Sequence, residues 1–536
     1  MEASKRFCGG ELNTDLLVAS GEIVAYLPLH CATERAALQE AWFGYPVWRD
    51  PYGMPFDAFR DYFGEKQGLL MKFIAHTCGF MFVIGIFGLF VTLYETYHGP
   101  DFREMAMGYA AVLCVWTTAY SVAWQRRQRQ TALMWGTCGL GSSLAARIEF
   151  EGQAMNNPFN GKPDFYFPSR LRSPRLALSA LATFFMIALA LGFIAVIMLM
   201  GHWETIGDTD LAVLNAVGIQ IFAMVYEKIA LSLTSYENWR TESEYESTLI
   251  KKLFVFNFFN SFTSLFFTIF IETYIPGWVC MYNDNCLKDL SNKLFYLLFF
   301  AIITQNVVGL LVPVCKRFYA QFNEGGFEHT MAAAEMQFLL VEYNETIDQI
   351  QEYSKLVVQW GYVSLFSAAL PYGPLMAAGN DFLLLRLDAY QQLSQFRRLQ
   401  PAAAEHIGPF AEIIVYLGYV ALLTNCAIVV YMMPLLNHGG IGDHTRDVVF
   451  MITISSVVFV TCVIKLWLTG GADDDLKLQA ARQNFICQKI VNKVADDDVI
   501  VQVDPLAPDD RIADADDSPY YNKLNDALAG NAAHMV

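Results

Sequence analysis

Long unbroken runs of apolar residues, parted by short polar stretches, occupy most of the chain between about Leu69 and Leu468. The runs are continuous rather than alternating, and many approach the roughly 20 residues a helix needs to cross the hydrocarbon core of a bilayer. Only helices and closed barrels satisfy their backbone there, and continuous runs select helices. The pattern predicts an all-α integral membrane protein of about ten transmembrane helices. The segments lie at about Leu69–Tyr97, Met105–Trp124, Leu176–Met200, Leu211–Leu233, Leu253–Ile271 and Leu290–Val314. A seventh, entered through a polar helix-like stretch Phe327–Gln351, ends near Pro371, and three more follow at about Leu375–Leu393, Ala411–Met433 and Val448–Leu468.

The polar stretches set the expected organisation. Residues 1–67 read as a small cytosolic segment with breakers at Gly44, Pro46, Pro51, Gly53 and Pro55. Residues 68–470 form the membrane domain, with a cytosolic insert at 125–174, and 471–536 form an acidic cytosolic tail. Arg126, Arg127 and Arg129 follow the second segment, Lys316 and Arg317 the sixth, and Arg397 and Arg398 the eighth. Under the positive-inside rule these are cytosolic exits, and an even number of crossings places both termini in the cytosol. The first 60 residues contain no apolar signal region, so the first crossing helix is expected to target the chain.

Composition agrees with this reading and narrows it. The chain has 536 residues, 54% of them hydrophobic and only 17% charged, against about one quarter charged in soluble domains. A net charge of −17 excludes a nucleic-acid partner, and its acidic runs (Asp473–Asp475, Asp496–Asp498, Asp509–Asp517) lack the pattern of a calcium-binding EF-hand loop. The His residues form no metal-ligand spacing, and neither a Walker loop nor a nucleophile elbow is present, so an enzyme is not expected. Most of the eleven cysteines lie inside apolar runs as small hydrophobes. Cys280 and Cys286 share an extracytosolic loop, which is compatible with a local disulfide.

Polar residues crowd into the fourth to seventh segments, while the third is almost bare. Asn215, Gln220 and Tyr226 lie in the fourth, Asn257 and Asn260 in the fifth, and Lys293, Gln305 and Asn306 in the sixth. Such side chains turn away from lipid, either as bonds between helices or as the lining of a hydrophilic path, and both readings stay open. Glu352 and Lys355, three apart, share a helical face, and the Pro371/Pro374 turn would fold Arg386 and Asp388 back beside them. These four residues are expected to form a buried, roughly balanced cluster, the alternative being that Glu352 and Lys355 sit at the interface and snorkel.

Several ordered stretches resemble the anoctamins, a family of phospholipid scramblases and chloride channels. They include Tyr62–Lys66 (YFGEK), Trp124–Gln128, Trp135-Gly136, Arg147–Gly152 (RIEFEG) and Asn160–Lys162. Leu233–Thr241 with Tyr245-Glu246, Glu352-Tyr353, Gln359–Val363, Leu370-Pro371 and Arg386–Ala389 continue the series. The resemblance implies a homodimer whose subunits each carry a groove between helices three and seven, open to lipid in scramblases and closed around anions in channels. It also implies a calcium site of paired carboxylates on helices seven and eight, with an acid and an Asn on helix six.

Here Glu352 and Asp388 match, but Lys355 and Leu384 stand at the other two paired positions, and Val307–Val312 offers no acid beside Asn306. Calcium takes six to eight oxygens, and a cation among the remaining ligands opposes it. No metal and no other cofactor is therefore expected, and Lys355 is expected to stand in for the ion. The segment before the first crossing is also shorter than the family's usual cytosolic domain. The leading functional expectation is a passive phospholipid scramblase not gated by calcium at this site. An anion or ion channel of the same fold, and a non-transporting membrane tether, are the alternatives.

Overall fold

A computed structural model of the chain describes residues 28–46, 50–99, 104–138, 149–156, 163–203, 208–271, 286–323, 333–344, 346–432 and 443–469, with isolated positions at 17, 20–22, 147, 478–482 and 485–486. The chain divides into two units, 1–477 and 478–536. The second is described only as short helical turns, so nearly all of the acidic tail, and Cys280 with it, lies outside the described residues.

Within the first unit, α1 (Ala32–Gly44) and α2 (Phe56–Phe63) precede the long helices α3 (Glu65–His98) and α4 (Glu104–Trp135). A two-stranded hairpin, β1 (Gln153–Asn156) antiparallel to β2 (Pro163–Tyr166), fills the insert, with Gln153 opposite Tyr166. Then come α5 (Ser169–His202), α6 (Asp208–Tyr236), α7 (Glu242–Phe270) and α8 (Cys286–Ile303). A π-turn at Thr304–Val308 joins α8 to α9 (Gly309–Asn323). The remainder is α10 (Ala333–Phe338), α11 (Ile347–Phe366), α12 (Gly373–Ser394), α13 (Phe410–Ala427) and α14 (Asp443–Thr469).

Among the described residues, eight helices are long and apolar enough to cross a membrane, α8 and α9 counting as one. The seventh and eighth expected segments, α11 and α12, are helical but fall outside that set. The reason is chemical: α11 carries Asp348, Glu352 and Lys355, and α12 carries Asp381, Arg386 and Asp388. Their burial comes from packing against α3, α7 and α13 rather than from apolar composition. Nor does a continuous helix enter α11, as the sequence had indicated. After α10 the chain is irregular, and Val341 pairs with Phe396 before α11 begins.

Helix α12 lies along α3, and two glycines make the approach possible. A Cβ on Gly88 would sit 1.7 Å from the Pro371 carbonyl oxygen, and one on Gly85 would sit 2.6 Å from the Leu375 nitrogen. Two stretches quoted for the family resemblance also meet. Asn238, at φ 56°, accepts from the Glu151 N–H at 3.1 Å and donates to the Glu151 carbonyl at 2.8 Å. Arg147 reaches Glu242 at 2.8 Å and lies over the Tyr245 ring. Buried Glu237 pairs with Lys252 at 2.6 Å, and Thr241 closes a capping box on α7.

The N-terminal segment is tied to one end of the bundle, here the proximal end. Trp42 donates to the Leu385 carbonyl at 3.1 Å, and its ring packs on Phe56 and Phe59. Arg386 donates to the carbonyl oxygens of Trp42 and Tyr45, closing the C-terminus of α1. His30 bonds the Tyr62 hydroxyl at 2.9 Å and the Phe396 carbonyl at 3.1 Å, and Arg398 lies over the Tyr62 ring. Burial, with Arg35 and Arg398 adding to it, holds the His30 imidazole below its ordinary pKa of 6.5 against the opposing Phe396 bond.

Two outcomes follow. Gly88→Ala should lower the thermal unfolding midpoint in detergent by the equivalent of about 1–3 kcal/mol of overpacking. Gly108→Ala, whose added Cβ meets open space, should not lower it. Because the folded pKa of His30 is lowered, its contribution is complete above 6.5 and is lost as pH falls through the window beneath. Proteolysis of the N-terminal segment should therefore quicken between neutral and acid pH, and His30→Gln should flatten that dependence.

Candidate functional site

Five helical elements leave a cavity of about 570 Å³ between them: α6, α7, the α8–π-turn–α9 run, α11 and α12. It extends from Lys316, Asp348 and Gln391 at the proximal end to Ala216, Ser261, Leu297 and Tyr362 near mid-bundle. Beyond that depth the helices close on one another. Asn215 donates to Ser264 at 3.3 Å, and Lys293 pairs with Asp289 at 2.7 Å while donating to Thr268 at 2.8 Å. On its proximal side the cavity has apolar lips: Met224 on α6, Val308 in the π-turn and Val312 on α9 line it and are exposed. Helix α6 packs against α8 but makes no comparable packing against α9.

Of the eight groove candidates, Gln220, Asn257 and Gln305 line the cavity. The other five do not, and each is bonded elsewhere. Tyr226 is buried against Phe256 and bonds Thr183 at 2.9 Å, joining α6 to α5. Asn260 donates to the Ile219 carbonyl at 2.9 Å, and Asn215 and Lys293 belong to the distal closure. Asn306 donates to Asn380 at 2.5 Å. Some of these amides therefore join helices and others face a hollow.

The floor of the cavity is an amide network that the sequence reading passed over. Asn380 on α12 donates to Gln305 at 2.7 Å and to Gln359 at 2.6 Å, and Gln359 donates to Asp381 at 2.7 Å. Three elements are joined where the π-turn interrupts regular helix, and π-turns recur at functional positions. The adjacent pair Asn380-Asp381, alone in an apolar run, was the available signal. Asp381 is buried, with its second carboxylate oxygen lacking a partner.

Nearer the proximal end, Lys355 pairs with Glu352 at 2.9 Å, and Asp388 lines the same cavity. Arg386, expected in this cluster, is turned away to α1, because its long side chain reaches the unpaired carbonyls at that helix terminus. Gln351 donates to Glu227, and Asp348 accepts from the Asn344 N–H at 2.8 Å. The lining therefore bears Glu227, Glu342, Asp348, Glu352 and Asp388 against Lys316 and Lys355.

The positions that the resemblance pairs with Glu352 and Asp388 carry no carboxylate. Lys355 is bonded to Glu352 and buried Leu384 offers no oxygen, while Asn306 donates through its Nδ2 to Asn380 and leaves its Oδ1 unbonded. Among the described residues no three His, Cys, Asp or Glu side chains are grouped to hold a metal. Cys286 is disulfide-bonded, and Cys280, named with it in the sequence, lies outside the described residues.

Residues 59–483 match a family described as "Anoctamin: Calcium-activated chloride channel". The chain belongs to the anoctamin family. It is 25% identical to anoctamin-3 of Mus musculus over 77% of this chain and 51% of that protein. It is 25% identical to anoctamin-4 of Homo sapiens over 78% of this chain and 54% of that one. Anoctamin-10 of Mus musculus is 26% identical, covering 88% of this chain and 71% of the relative. The chain thus spans about half the length of the anoctamin-3 and anoctamin-4 relatives.

Asn380→Leu tests the network. It leaves the acceptor oxygens of Gln305 and Gln359 unbonded at about 1–3 kcal/mol each. The expected result is a clearly lower unfolding midpoint in detergent, well beyond that of Asn257→Leu, which removes a side chain facing the cavity.

Proposed function

We propose that this anoctamin moves phospholipids passively across the bilayer, headgroups entering the cavity while acyl tails remain in lipid. The observation that carries the reading is a polar-lined hollow at membrane depth whose lips, Met224, Val308 and Val312, are apolar and exposed. A headgroup needs the first feature, and its attached tails need the second. Passive movement requires no energy source, consistent with the lack of a nucleotide-binding motif in the sequence. The excess of carboxylates along the lining disfavours a pathway for anions.

Asn215–Ser264 ties α6 to α7 and Lys293–Thr268 ties α8 to α7; in this reading the closed distal end is a shut conformation, and transport requires α6 and α8, which pack on each other, to part. In this reading the protein is a multi-pass homodimer with both termini cytosolic, and its proximal end faces the cytosol. Calcium does not gate it through the membrane site. Lys355 supplies a tethered positive charge beside Glu352 and Asp388, so a bound ion is not required to gather α11 and α12.

Purified protein in liposomes holding trace fluorescent lipid, challenged with dithionite, provides the test. Quenching beyond the outer-leaflet half, equal in calcium and in chelator, is expected. Lys355→Glu should alter the rate or introduce calcium dependence. Quenching that stops at the outer leaflet in both conditions would remove the proposal, and activity appearing only with calcium would remove its regulatory half.

A further inference from the structure

Each apolar lip of the cavity ends in an exposed lysine. On α6 the exposed side chains run through Val217, Ile221, Met224 and Val225 to Lys228. Across the mouth, Val308 and Val312 lead to Lys316 on α9. Lys228 follows Met224, and Lys316 follows Val312, by one helical turn toward the proximal end, so each lysine shares a face with its lip residue. Lys316 also lines the cavity.

Neither lysine makes a hydrogen bond or an ion pair with any described residue. Other cations at this end are committed: Arg317 donates to the Ser394 carbonyl at 3.5 Å, Lys252 pairs with Glu237 at 2.6 Å, and Lys355 with Glu352 at 2.9 Å. Depth sharpens the contrast. Lys228 lies about 12 Å along the axis from Tyr236, where α6 ends. An ammonium among lipid-facing apolar residues needs an anion or water within reach of its stem. Beyond the lips the hollow is lined by Glu227 and Asp348, so a phosphate drawn to this mouth also needs a compensating positive charge.

We infer that Lys228 and Lys316 form an entry subsite for the phosphodiester of a phospholipid, its phosphate held at the mouth while its tails lie across Met224 and Val312. An ammonium offers three donors to the unesterified phosphate oxygens and acts on them as a point charge. Because glycerophospholipids share that group, the subsite selects for phosphate and is indifferent to what is esterified beyond it. The inference rests on the phospholipid-transport reading and names the part of the substrate that the mouth recognises.

Two measurements separate this claim from the transport claim. The first compares dithionite quenching of trace acyl-labelled phosphatidylcholine with that of acyl-labelled glucosylceramide, whose headgroup is neutral and lacks phosphate, in otherwise identical phosphatidylcholine liposomes. Phosphatidylcholine should move about 5- to 10-fold faster, the combined scale of two exposed charge contacts. Lys228→Gln with Lys316→Gln should erase that advantage and leave glucosylceramide unchanged, which also reports an intact fold. Lys228→Arg with Lys316→Arg should retain it. Lys251→Gln, which removes an exposed lysine of α7 outside the cavity lining, should alter neither rate. The second measurement needs no transport: thermal unfolding in detergent with dihexanoyl phosphatidylcholine, octyl glucoside or inorganic phosphate added. The phospholipid should raise the midpoint above that with either other additive, and the double Gln variant should lose the difference.

Equal rates for the two lipids, or a double Gln variant that slows both alike, would overturn the subsite while leaving transport intact. No movement of either lipid, with the lysine-dependent stabilisation retained, would overturn transport and leave the subsite standing. Stabilisation reproduced by inorganic phosphate alone would make this a free-anion site and overturn the headgroup assignment.

Discussion

Polar side chains held at membrane depth must bond one another or face water, and the arrangement of α11 and α12 answers that requirement. Neither helix is apolar enough to sit against lipid on its own. Both are shielded by the apolar helices around them, and they turn amides and charges toward each other and toward a hollow. Where amide and carboxylate groups link into a chain (Gln305, Asn380, Gln359 and Asp381), the bundle is tight. Where the side chains are longer, more widely spaced and mostly acidic, it stays open. The cavity is the part of the polar interior that the protein's own groups leave unfilled.

A lysine in place of an acid changes what such a hollow can hold. An empty cluster of carboxylates would repel itself and draw a divalent ion. With Lys355 bonded to Glu352, part of that repulsion is relieved by a charge that cannot diffuse away.

Helix α12 joins the membrane interior to the proximal end. Arg386 lies only two residues from Asp388, yet it binds the last carbonyls of α1, and Trp42 reaches back to Leu385. His30, Tyr62 and Arg398 complete the attachment. A displacement of α12 along α3 is resisted at Gly85 and Gly88, where backbone meets backbone, so movements that open the cavity are expected on its far wall, at α6 and the α8–α9 run. The π-turn between α8 and α9 is the natural place for that bending.

Much of the architecture was legible in the sequence because the bilayer imposes a length and an apolarity that few other environments do. The helical class and the approximate places of most segments could be read from residue order. The seventh and eighth helices were also expected from the sequence, but their charged groups are shielded by neighbours remote in sequence rather than by an apolar composition of their own. Which amide joins helices and which lines a hollow was also decided only by tertiary packing. Asn257 and Asn260 are three residues apart, yet one faces the cavity and the other reaches the Ile219 carbonyl. Arg386 and Asp388 part company for the same reason. Rotation of a helix about its axis, and the identity of its neighbour, depend on contacts across the whole bundle, which local sequence does not encode.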